Sequence, residues 1–330
     1  MKLLVVGGTG WLGGTVARLA ADAGHAVTVL ARGRSPMGVL PMIVADRNAE
    51  LPDLSGQGFE AVVDTSAYTP AHVDRLLQAL GPGPGRYMLI SSESVYGDFG
   101  QDITEDSPAP TATAEDLVLA EAVARGEGEY GAAYGPLKRA AEEAALARLG
   151  ERATILRPGL IVGPGDPTDR FTFWARRLDR PGPVALPLPR DRPVQVIDVR
   201  DLAAFTLAMA EGMVPGIFNC TGVETPFAEV AETFLRLSGA GAMPLWLPWS
   251  RFEAAGLNYW TEVPLILPED PTYAHFLTVR PDRAVVAGLT RRPLAETMAD
   301  LLAWDRSRRD RPLRAGMPAD KEALLLAGPA

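Results

Sequence analysis

A tyrosine and a lysine near the middle of the chain have the spacing of an acid/base pair. Tyr134 and Lys138 lie four residues apart in the segment YGPLK, at the start of a helix predicted from about Tyr134 to Leu149. Residues at this spacing share a helix face. An ammonium group beside a phenol favours the phenolate and lowers the pKa of the phenol, so the pair could exchange a proton with a hydroxyl or carbonyl group. Such pairs are also common on exposed helix faces, so this interpretation needs support from elsewhere in the chain.

Hydroxyl side chains directly after a predicted strand provide that support. The apolar run Tyr87–Ile90 is followed by Ser91-Ser92-Glu93-Ser94 and then VYG. A hydroxyl group at the carboxyl end of a parallel strand can hydrogen-bond the reacting oxygen of a substrate and polarise it. The two segments together predict a site for the interconversion of a hydroxyl and a carbonyl group.

A glycine-rich turn near the N-terminus is typical of dinucleotide binding. Gly7, Gly10 and Gly13 are spaced three apart between a predicted strand, Lys2–Val6, and a helical pattern. Glycines at such a junction let the backbone turn tightly and approach a pyrophosphate, whose charge is favoured by the helix N-terminus. An ordinary strand-to-helix turn is the alternative. The position at the first such junction of an alternating chain favours a nicotinamide dinucleotide.

The residues after the second predicted strand bear on the choice of cofactor. The strand Ala26–Leu30 is followed by Arg32 and Arg34, with no acidic side chain at that point. An acidic residue there would bind the ribose 2′-hydroxyl of NAD, whereas arginine suits the 2′-phosphate of NADP. We therefore expect NADP and leave NAD open; the alternative is that both arginines are solvated loop charges.

The elements that must position these residues alternate along the first half of the chain. Further strands are predicted at Met42–Ala45, Ala61–Asp64 and Arg152–Arg157, and a helix at about Ala71–Leu80. This alternation predicts an α/β fold with a Rossmann-type, doubly wound parallel sheet. We place the NAD(P)-binding domain at residues 1–165, with an exposed acidic insertion at about 98–130. A smaller substrate-binding portion follows at 166–330, part of which could return to the Rossmann sheet. It contains helical patterns near Asp201–Glu211, Phe227–Leu237 and Leu294–Arg306, and no regular structure is assigned to 243–272.

Composition limits the classes of function. The 330 residues are 47% hydrophobic and 22% charged, with a net charge of -9. That charge argues against a general nucleic-acid binder, because such affinity depends on Lys and Arg neutralising phosphates. One cysteine, Cys220, and three histidines make a disulfide or a metal centre unexpected. The apolar run at the N-terminus is too short to span a bilayer. We expect a cytoplasmic protein with a small-molecule substrate, no nucleic-acid or membrane partner and no metal, and we leave a homodimer open.

Four segments together resemble a known family. The loop GGTGWLGG, the segment SSESVYG, the YxxxK pair and LRPGLIVGPGD match in order and spacing along residues 1–170, and the likeness continues through RPVQVIDVRDLA. This pattern resembles the extended short-chain dehydrogenase/reductases, in the NAD-dependent epimerase/dehydratase family. The resemblance implies that Ser92, Tyr134 and Lys138 are the catalytic group. It also implies a set of cofactor contacts: the loop residues Gly7, Thr9, Gly10, Trp11, Leu12 and Gly13, then Arg32 and Arg34, Asp46, Thr65-Ser66-Ala67, Tyr134, Lys138 and Pro158-Gly159-Leu160.

The resemblance also implies substrate contacts and leaves the reaction open. Substrate would contact Glu93 and Ser94, and Arg192 lies roughly where epimerases clamp the phosphates of a sugar nucleotide. Sugar-nucleotide 4,6-dehydratases carry an Asp-Glu pair where this chain has Glu93-Ser94, so their second carboxylate is missing and no loss of water is expected. The asparagine that the family often has in the RPGL segment is also replaced. We expect an NAD(P)-dependent epimerase or oxidoreductase acting on a sugar nucleotide or similar polar substrate. The alternatives are a ketone or aldehyde reductase, and a non-catalytic protein that binds NADP or RNA.

Overall fold

Seven buried segments pair side by side to form a parallel sheet. The structure, a computed structural model, describes residues 1–34 and 38–327. The order of strands across the sheet is β3-β2-β1-β4-β5-β6-β10, and every neighbouring pair is parallel. The strands are β1 Lys2–Val6, β2 Ala26–Ala31, β3 Met42–Val44, β4 Ala61–Asp64, β5 Arg86–Ile90, β6 Ala153–Pro158 and, in this numbering, β10 Gly216–Cys220. The predicted α/β, Rossmann-type fold is confirmed.

Helices cover this sheet because parallel strands are apolar on both faces. Helix α1 (Trp11–Asp22) packs against α6 (Val199–Gly212), and α2 (Pro70–Leu80) packs against α4 (Tyr134–Leu149). Strand residues and helix residues share one core, which includes Leu4, Leu76 and Ala141. These elements belong to a first unit that comprises residues 1–159, 199–221 and 279–290. The chain thus leaves this unit after β6 and returns to it twice.

A second unit comprises residues 160–198, 222–278 and 291–330 and has its own hydrophobic core. Trp174 and Phe227 are buried at its centre, with their ring centroids 5.0 Å apart. Its strands are β7 Leu160–Val162, β8 Gly182–Pro187, β9 Pro193–Asp198, β11 Glu224–Pro226 and β12 Ala242–Leu247. Its helices are α5 Arg170–Leu178, α7 Phe227–Ser238, α8 Trp249–Ala254, α10 Leu294–Arg306 and α11 Ala319–Leu326, whereas α9 Asp282–Val286 lies in the first unit.

Two segments have more regular structure than the sequence predicted. The insertion at about 98–130 contains helix α3, Ala114–Ala124, and the segment 243–272 contributes to β12 and contains α8. Helix α3 begins at a capping box formed by Thr113 and Asp116, which satisfies backbone groups at the helix start. Within the described residues, no helix is long and apolar enough to cross a membrane.

Candidate functional site

The glycine loop forms the tight turn that a bound pyrophosphate requires. Gly7 has φ 77°, a left-handed conformation that favours glycine. A Cβ atom at Gly13 would lie 2.5 Å from the Gly7 carbonyl oxygen, and one at Gly7 would lie 2.6 Å from Thr65 Oγ1. Gly10 caps α1 without a side-chain hydrogen bond, so the first turn of the helix keeps its positive end for another partner.

A cleft of about 620 Å³ opens at the carboxyl ends of the first strands of the sheet. We call it the cofactor cleft. It brings together most of the predicted cofactor residues: Gly7, Thr9, Gly10, Trp11, Leu12, Gly13, Arg32, Arg34, Asp46, Thr65 and Ser66. Ala67 is adjacent to this lining in sequence but is buried. The volume is within the range of small-molecule sites. The size of the cleft and the tight turn of the glycine loop therefore both fit a dinucleotide.

Positive charge lines the end of the cleft where β2 finishes. Arg32 and Arg34 are both exposed, and neither forms a salt bridge within the described ranges 1–34 and 38–327. Asp46 lines the same cleft, where its carboxylate accepts a hydrogen bond of 2.9 Å from the Asn48 backbone amide. Two guanidinium groups without acidic partners can bind a phosphate.

An arginine that the sequence analysis did not single out supports the floor of the cleft. Arg47 donates to both carboxylate oxygens of Asp64, at 2.6 and 2.9 Å, and to Ser66 Oγ at 2.7 Å. Burial alone would raise the pKa of Asp64, but the charge of Arg47 and its hydrogen bonds lower it below its usual value. Tyr87 also donates to Asp64, at 2.8 Å. The ion pair thus fixes the loop after β4 that carries Thr65 and Ser66.

The predicted catalytic side chains meet where β5 ends and α4 begins. Ser92 caps a 3₁₀ turn, Glu93–Val95, by accepting a hydrogen bond of 3.1 Å from the Ser94 amide. Tyr134 is the first residue of α4, and its neighbour Gly135 packs directly against the Ser94 carbonyl oxygen of that turn. The Lys138 ammonium is buried and donates to the carbonyl oxygens of Ala67, at 2.8 Å, and of Ile90, at 2.6 Å. The structure therefore brings all three residues to one place.

The protonation of this group differs from the expectation. Burial, and to a smaller extent the nearby phenol of Tyr68, raise the pKa of Tyr134 to about 12, although the Ser92 side chain acts to lower it. Burial lowers the pKa of Lys138 to about 8. The expectation of a lowered pKa for Tyr134 was wrong for this geometry, because burial of the phenol outweighs the effect that lowers its pKa. At neutral pH Tyr134 is a neutral phenol and thus a proton donor.

Close packing and a buried ion pair hold α4 against the turn formed by Ser92 and Glu93–Val95, which we call the catalytic turn after its predicted role. A Cβ atom at Gly135 would lie 1.9 Å from the Ser94 carbonyl oxygen, so only glycine allows this approach. Further along α4, Glu142 accepts from Arg157 of β6 at 2.6 and 2.9 Å, and both side chains are buried. These contacts set the distance between the helix that carries Tyr134 and the turn that carries Ser92.

Two further tyrosines were missed by the sequence analysis. The Tyr68 ring stacks on Tyr130 with centroids 5.3 Å apart, and it lies 6.0 Å from the ring of Tyr134. Lys138 Nζ lies 5.1 Å from the centroid of Tyr68. Tyr68 and Tyr130 also line the cofactor cleft, together with Val123 and Ala124 from the end of α3. The Tyr68–Tyr130 pair therefore lies beside the cleft, beside Tyr134, which is the predicted catalytic tyrosine, and next to the insertion.

Glu93 is a buried carboxyl group next to Ser92, the predicted catalytic hydroxyl. Burial raises its pKa to about 8, so it is mostly protonated at neutral pH. Gly159 leaves room for it, since a Cβ atom there would lie 2.7 Å from Glu93 Oε2. Pro158 ends β6 next to this glycine, and Ser94 Oγ accepts a hydrogen bond of 3.1 Å from Ser92 Oγ. Glu93, Ser94, Pro158 and Gly159, which were predicted to contact substrate or cofactor, thus lie together at the catalytic turn.

Leu160 and Arg192 belong to the second unit. Leu160 begins β7, where it pairs with Val196 of β9. The Arg192 guanidinium donates to the carbonyl oxygens of Leu267, at 2.7 Å, and Leu188, at 3.2 Å, and to Glu269 at 3.1 Å. It lines a cleft of about 320 Å³. Much of its hydrogen-bonding capacity is therefore used within its own unit.

No cluster of three or more His, Cys, Asp or Glu that could hold a metal ion is found in residues 1–34 and 38–327. The single cysteine, Cys220, is buried, and burial raises the pKa of its thiol. A thiol in that state is a poor nucleophile. The chemistry of the site thus depends on hydroxyl, phenol, ammonium and carboxyl groups.

The chain is similar to proteins of known family. Residues 3–221 match the model of the NAD dependent epimerase/dehydratase family. A curated relative from Arabidopsis thaliana, the chloroplast stem-loop binding protein of 41 kDa b, is 28% identical over 246 residues, which cover 67% of this chain and 58% of that protein. The match thus spans less than two thirds of that relative.

Solved structures share the fold at low identity. A putative epimerase from Burkholderia cenocepacia is 20% identical, with 93% of this chain and 98% of that chain covered and a TM-score of 0.68. UDP-glucuronic acid 4-epimerase from Bacillus cereus in complex with NAD is 16% identical, with 93% and 99% covered and a TM-score of 0.63. A human epimerase family protein with NADPH is 21% identical, with 92% and 99% covered and a TM-score of 0.58.

Proposed function

The chain belongs to the NAD dependent epimerase/dehydratase family, and its site supports a nicotinamide-dependent enzyme. We propose that it exchanges a hydride and a proton at one hydroxyl-bearing carbon of a polar, hydroxylated substrate such as a sugar nucleotide, with NADP as the preferred cofactor. Oxidation, reduction and epimerisation all consist of this exchange. The observation that carries the proposal is the close packing of the start of α4, with Tyr134 and the fixed Lys138, against the turn that contains Ser92, beside a cleft that fits a dinucleotide.

Each catalytic side chain has a separate task in this proposal. The nicotinamide ring, when bound, supplies or accepts the hydride. Ser92 donates a hydrogen bond to the reacting oxygen and polarises the carbonyl group. Tyr134 delivers its proton to that oxygen in the reductive direction and takes it back in the oxidative direction. Lys138, fixed by the Ala67 and Ile90 carbonyls, holds the loops after β4 and β5 in register and adds positive charge near the developing oxyanion.

The preference for NADP depends on the arginines after β2. Arg32 and Arg34 present two guanidinium groups to the cofactor cleft without a salt-bridge partner in the described chain. Arginine forms two parallel hydrogen bonds with a phosphate, which supports recognition of the 2′-phosphate. Asp46, the acidic residue that lines the same cleft, follows β3, not β2.

The same site argues against the loss of water from the substrate. A 4,6-dehydratase needs an acid to expel a hydroxyl and a carboxylate base to remove the neighbouring proton. Glu93 is mostly protonated at neutral pH and could serve as an acid, but Ser94 cannot serve as a carboxylate base. We therefore propose no dehydration of nucleotide sugars.

One mutation tests the catalytic assignment, and an assay of the unmutated protein distinguishes an epimerase from a reductase. The change Tyr134→Phe keeps the ring but removes the exchangeable proton, so turnover should fall by about 10²-fold or more while NADPH binding persists. A full-activity Phe variant would mean that the catalytic assignment is wrong. With the unmutated protein, an epimerase converts many substrate equivalents per bound cofactor, whereas a reductase consumes one NADPH per product, measured by absorbance at 340 nm.

A reductase of ketones or aldehydes is the second candidate, supported by two features. Tyr134 is a neutral phenol at neutral pH, which suits proton donation to a carbonyl oxygen. Arg192, the residue expected to clamp the phosphates of a sugar nucleotide, already binds Glu269 and two backbone carbonyls. A panel of UDP-sugars and of simple carbonyl compounds, assayed with NADPH, decides between these substrate classes.

A candidate of another class follows from the curated relative. Similarity to a stem-loop binding protein supports the alternative that the chain binds RNA. The net charge of -9 and the assembled Ser92, Tyr134 and Lys138 count against it. Turnover of any substrate that is lost in the Tyr134→Phe protein would exclude this candidate.

A further inference from the structure

A second cleft, of about 540 Å³, is lined by arginines in the second unit. It lies between the C-terminal part of α5 and the segment 309–319 that follows α10. We call it the arginine cleft; its charged lining residues are Arg176, Arg177, Arg180, Arg309, Arg311 and Arg314, with Asp310 and Glu322. The lining thus contains six guanidinium groups and two carboxylates on a chain whose net charge is -9, and Arg176 and Arg309 also pair with Asp305 and Asp179.

The arginines at the base of the cleft are held in fixed positions by carboxylates. Asp305 is fully buried and pairs with Arg176 at 2.6 Å, and its second oxygen lies 3.6 Å from Arg309. Glu322 of α11 accepts from Arg177 at 2.7 and 2.8 Å. The pKa of Arg309 is lowered, first by burial and then by the charge of Arg176, so positive groups are crowded here. Arg309 also pairs with Asp179. These ion pairs preorganise the cleft, and within the described residues Asp310 is the one lining carboxylate that takes no part in them.

Three arginines on the rim are left without a partner of opposite charge. Arg180, Arg311 and Arg314 are exposed, and no salt bridge involves them in the part of the chain that the structure describes. Guanidinium groups are suited to phosphate because they present planar, paired donors. The surplus charge of the cleft is therefore concentrated at its opening.

Part of the wall of the cleft is apolar and closely packed. Phe173, Leu313 and Met317 line it, and Phe173 is nearly buried. Gly316 has φ 130°, and a Cβ atom there would lie 2.1 Å from the Phe173 ring, so the segment rests directly on that ring. A preformed cleft with one apolar wall and a few convergent charged groups is typical of small-molecule sites.

We propose that the arginine cleft binds a small molecule with a di- or triphosphate group, such as a nucleoside di- or triphosphate. Arg180, Arg311 and Arg314 bind the phosphates at the opening, and the apolar wall accommodates the remainder of the ligand. A nucleic acid fits less well, because its affinity needs phosphate contacts along an extended basic surface. The overall negative charge would also repel a long polyanion. This site is separate in its residues from the cofactor cleft of the first unit.

The test measures the binding of inorganic tripolyphosphate to the NADPH-saturated protein by isothermal titration calorimetry. Saturation with NADPH keeps the probe out of the cofactor cleft. We expect one saturable site, and affinity about tenfold higher than for inorganic phosphate, since each added phosphate contact strengthens binding. The double variant R180Q/R311Q should weaken binding at least about tenfold. No saturable binding, or equal affinity for phosphate and tripolyphosphate, overturns the proposal.

A matched control separates local binding from a general loss of charge. R148Q/R236Q removes the same charge from exposed positions outside the cleft and should change affinity less than about twofold. An equal loss in both double variants overturns the proposal. All four positions are exposed, so both proteins should fold, which circular dichroism and thermal unfolding check. Displacement of tripolyphosphate by a stem-loop RNA at lower concentration than by ATP would overturn the assignment of a small ligand.

Discussion

At the scale of single residues, local motifs indicate the proposed catalytic group, whereas the residues that support it depend on distant contacts. Ser92, Tyr134 and Lys138 stand in short segments with a chemical interpretation, and the structure brings them together. Arg47 and Tyr68 have no such signal, because their roles arise from Asp64 and Tyr130, which are remote in sequence. The raised pKa of Tyr134 could not be predicted from the sequence either, because it results from burial of the side chain in the folded protein.

The first residue-scale prediction concerns cofactor choice. Arg32→Ala removes a guanidinium group from the cofactor cleft, so the affinity for NADPH should fall by about tenfold while that for NADH changes little. Fluorescence titration of both cofactors measures the ratio. Arg148→Gln, an exposed site on α4, is the charge control. Equal affinities for NADPH and NADH in the unmutated protein would contradict the preference.

The second residue-scale prediction concerns Glu93 and pH. Its folded-state pKa of about 8 lies above the ordinary value of 4.5, so the folded protein retains a proton that the unfolded chain releases between these values. The contribution to stability is therefore fully present below about pH 4.5 and is lost as pH rises through about 8. Glu93→Gln cannot titrate, so from pH 5 to pH 9 its free energy of unfolding should rise relative to the unmutated protein, by on the order of 3 kcal/mol.

Urea unfolding at several pH values measures this difference. The exposed Glu129→Gln variant serves as the control for a change of charge without burial. The absolute stability of the Glu93 variant is not decisive, because a buried amide changes the local hydrogen bonding. A difference between the two proteins that stays constant with pH would show that Glu93 is ionised throughout.

At the scale of secondary structure, most of the central sheet could be predicted because buried parallel strands are continuous apolar runs. The first six strands lie within one residue of their predicted ends. Helix α3 was not predicted because its sequence, AEDLVLAEAVA, has apolar residues on all sides and no helical periodicity. Its capping residues Thr113 and Asp116 were the available signal. The pairing of β10 with β6 joins residues remote in sequence, which local patterns do not specify.

The element-scale prediction concerns the packing of α4 on the catalytic turn. Gly135→Ala places a methyl group 1.9 Å from the Ser94 carbonyl oxygen, so the backbone of the helix or of the turn must move. Displacement by about 1 Å separates Tyr134 from Ser92, and turnover should fall by about 10²-fold. The Tyr134 hydroxyl itself is unchanged, so the loss would come from position alone.

The matched control for this change is another glycine at a helical position. A Cβ atom at Gly212, the last residue of α6, would meet only Val214 Cγ2, at 3.5 Å. Gly212→Ala should therefore keep both stability and turnover. If Gly135→Ala retains full turnover, the close approach of α4 to the turn is not what positions the catalytic pair.

At the scale of the whole molecule, charge and chain path carry information that single motifs do not. The chain is acidic overall, yet eight of its 29 arginines lie in the arginine cleft or directly after β2. Each unit has a hydrophobic core of its own, and the cofactor cleft is built entirely from residues of the first. The first unit is discontinuous, however, since residues 199–221 and 279–290 return to it.

This chain path predicts that the N-terminal segment does not fold alone. A fragment of residues 1–165 contains the glycine loop and the catalytic group but lacks α6 and β10. Helix α6 packs on α1 and on the central strands, and most of its residues are buried. Without it, a broad apolar face of the sheet would be exposed to water, at a cost of about 25 cal/mol per Å². Without β10, the edge of β6 would lose its hydrogen-bonded neighbour, and Arg157 with Tyr96 would lose the Asn219 end of their buried network.

The fragment should therefore be aggregated or partly unfolded, with exchangeable backbone amides and no measurable affinity for NADPH. Hydrogen exchange followed by mass spectrometry compares it with the whole chain, in which NADPH at 100 times its dissociation constant should add about 2.7 kcal/mol to the free energy of unfolding. Protection should increase in residues 1–159 and also in 199–221, because these segments form one sheet. A fragment that binds NADPH with the affinity of the whole chain would show that α6 and β10 are dispensable for the cofactor cleft.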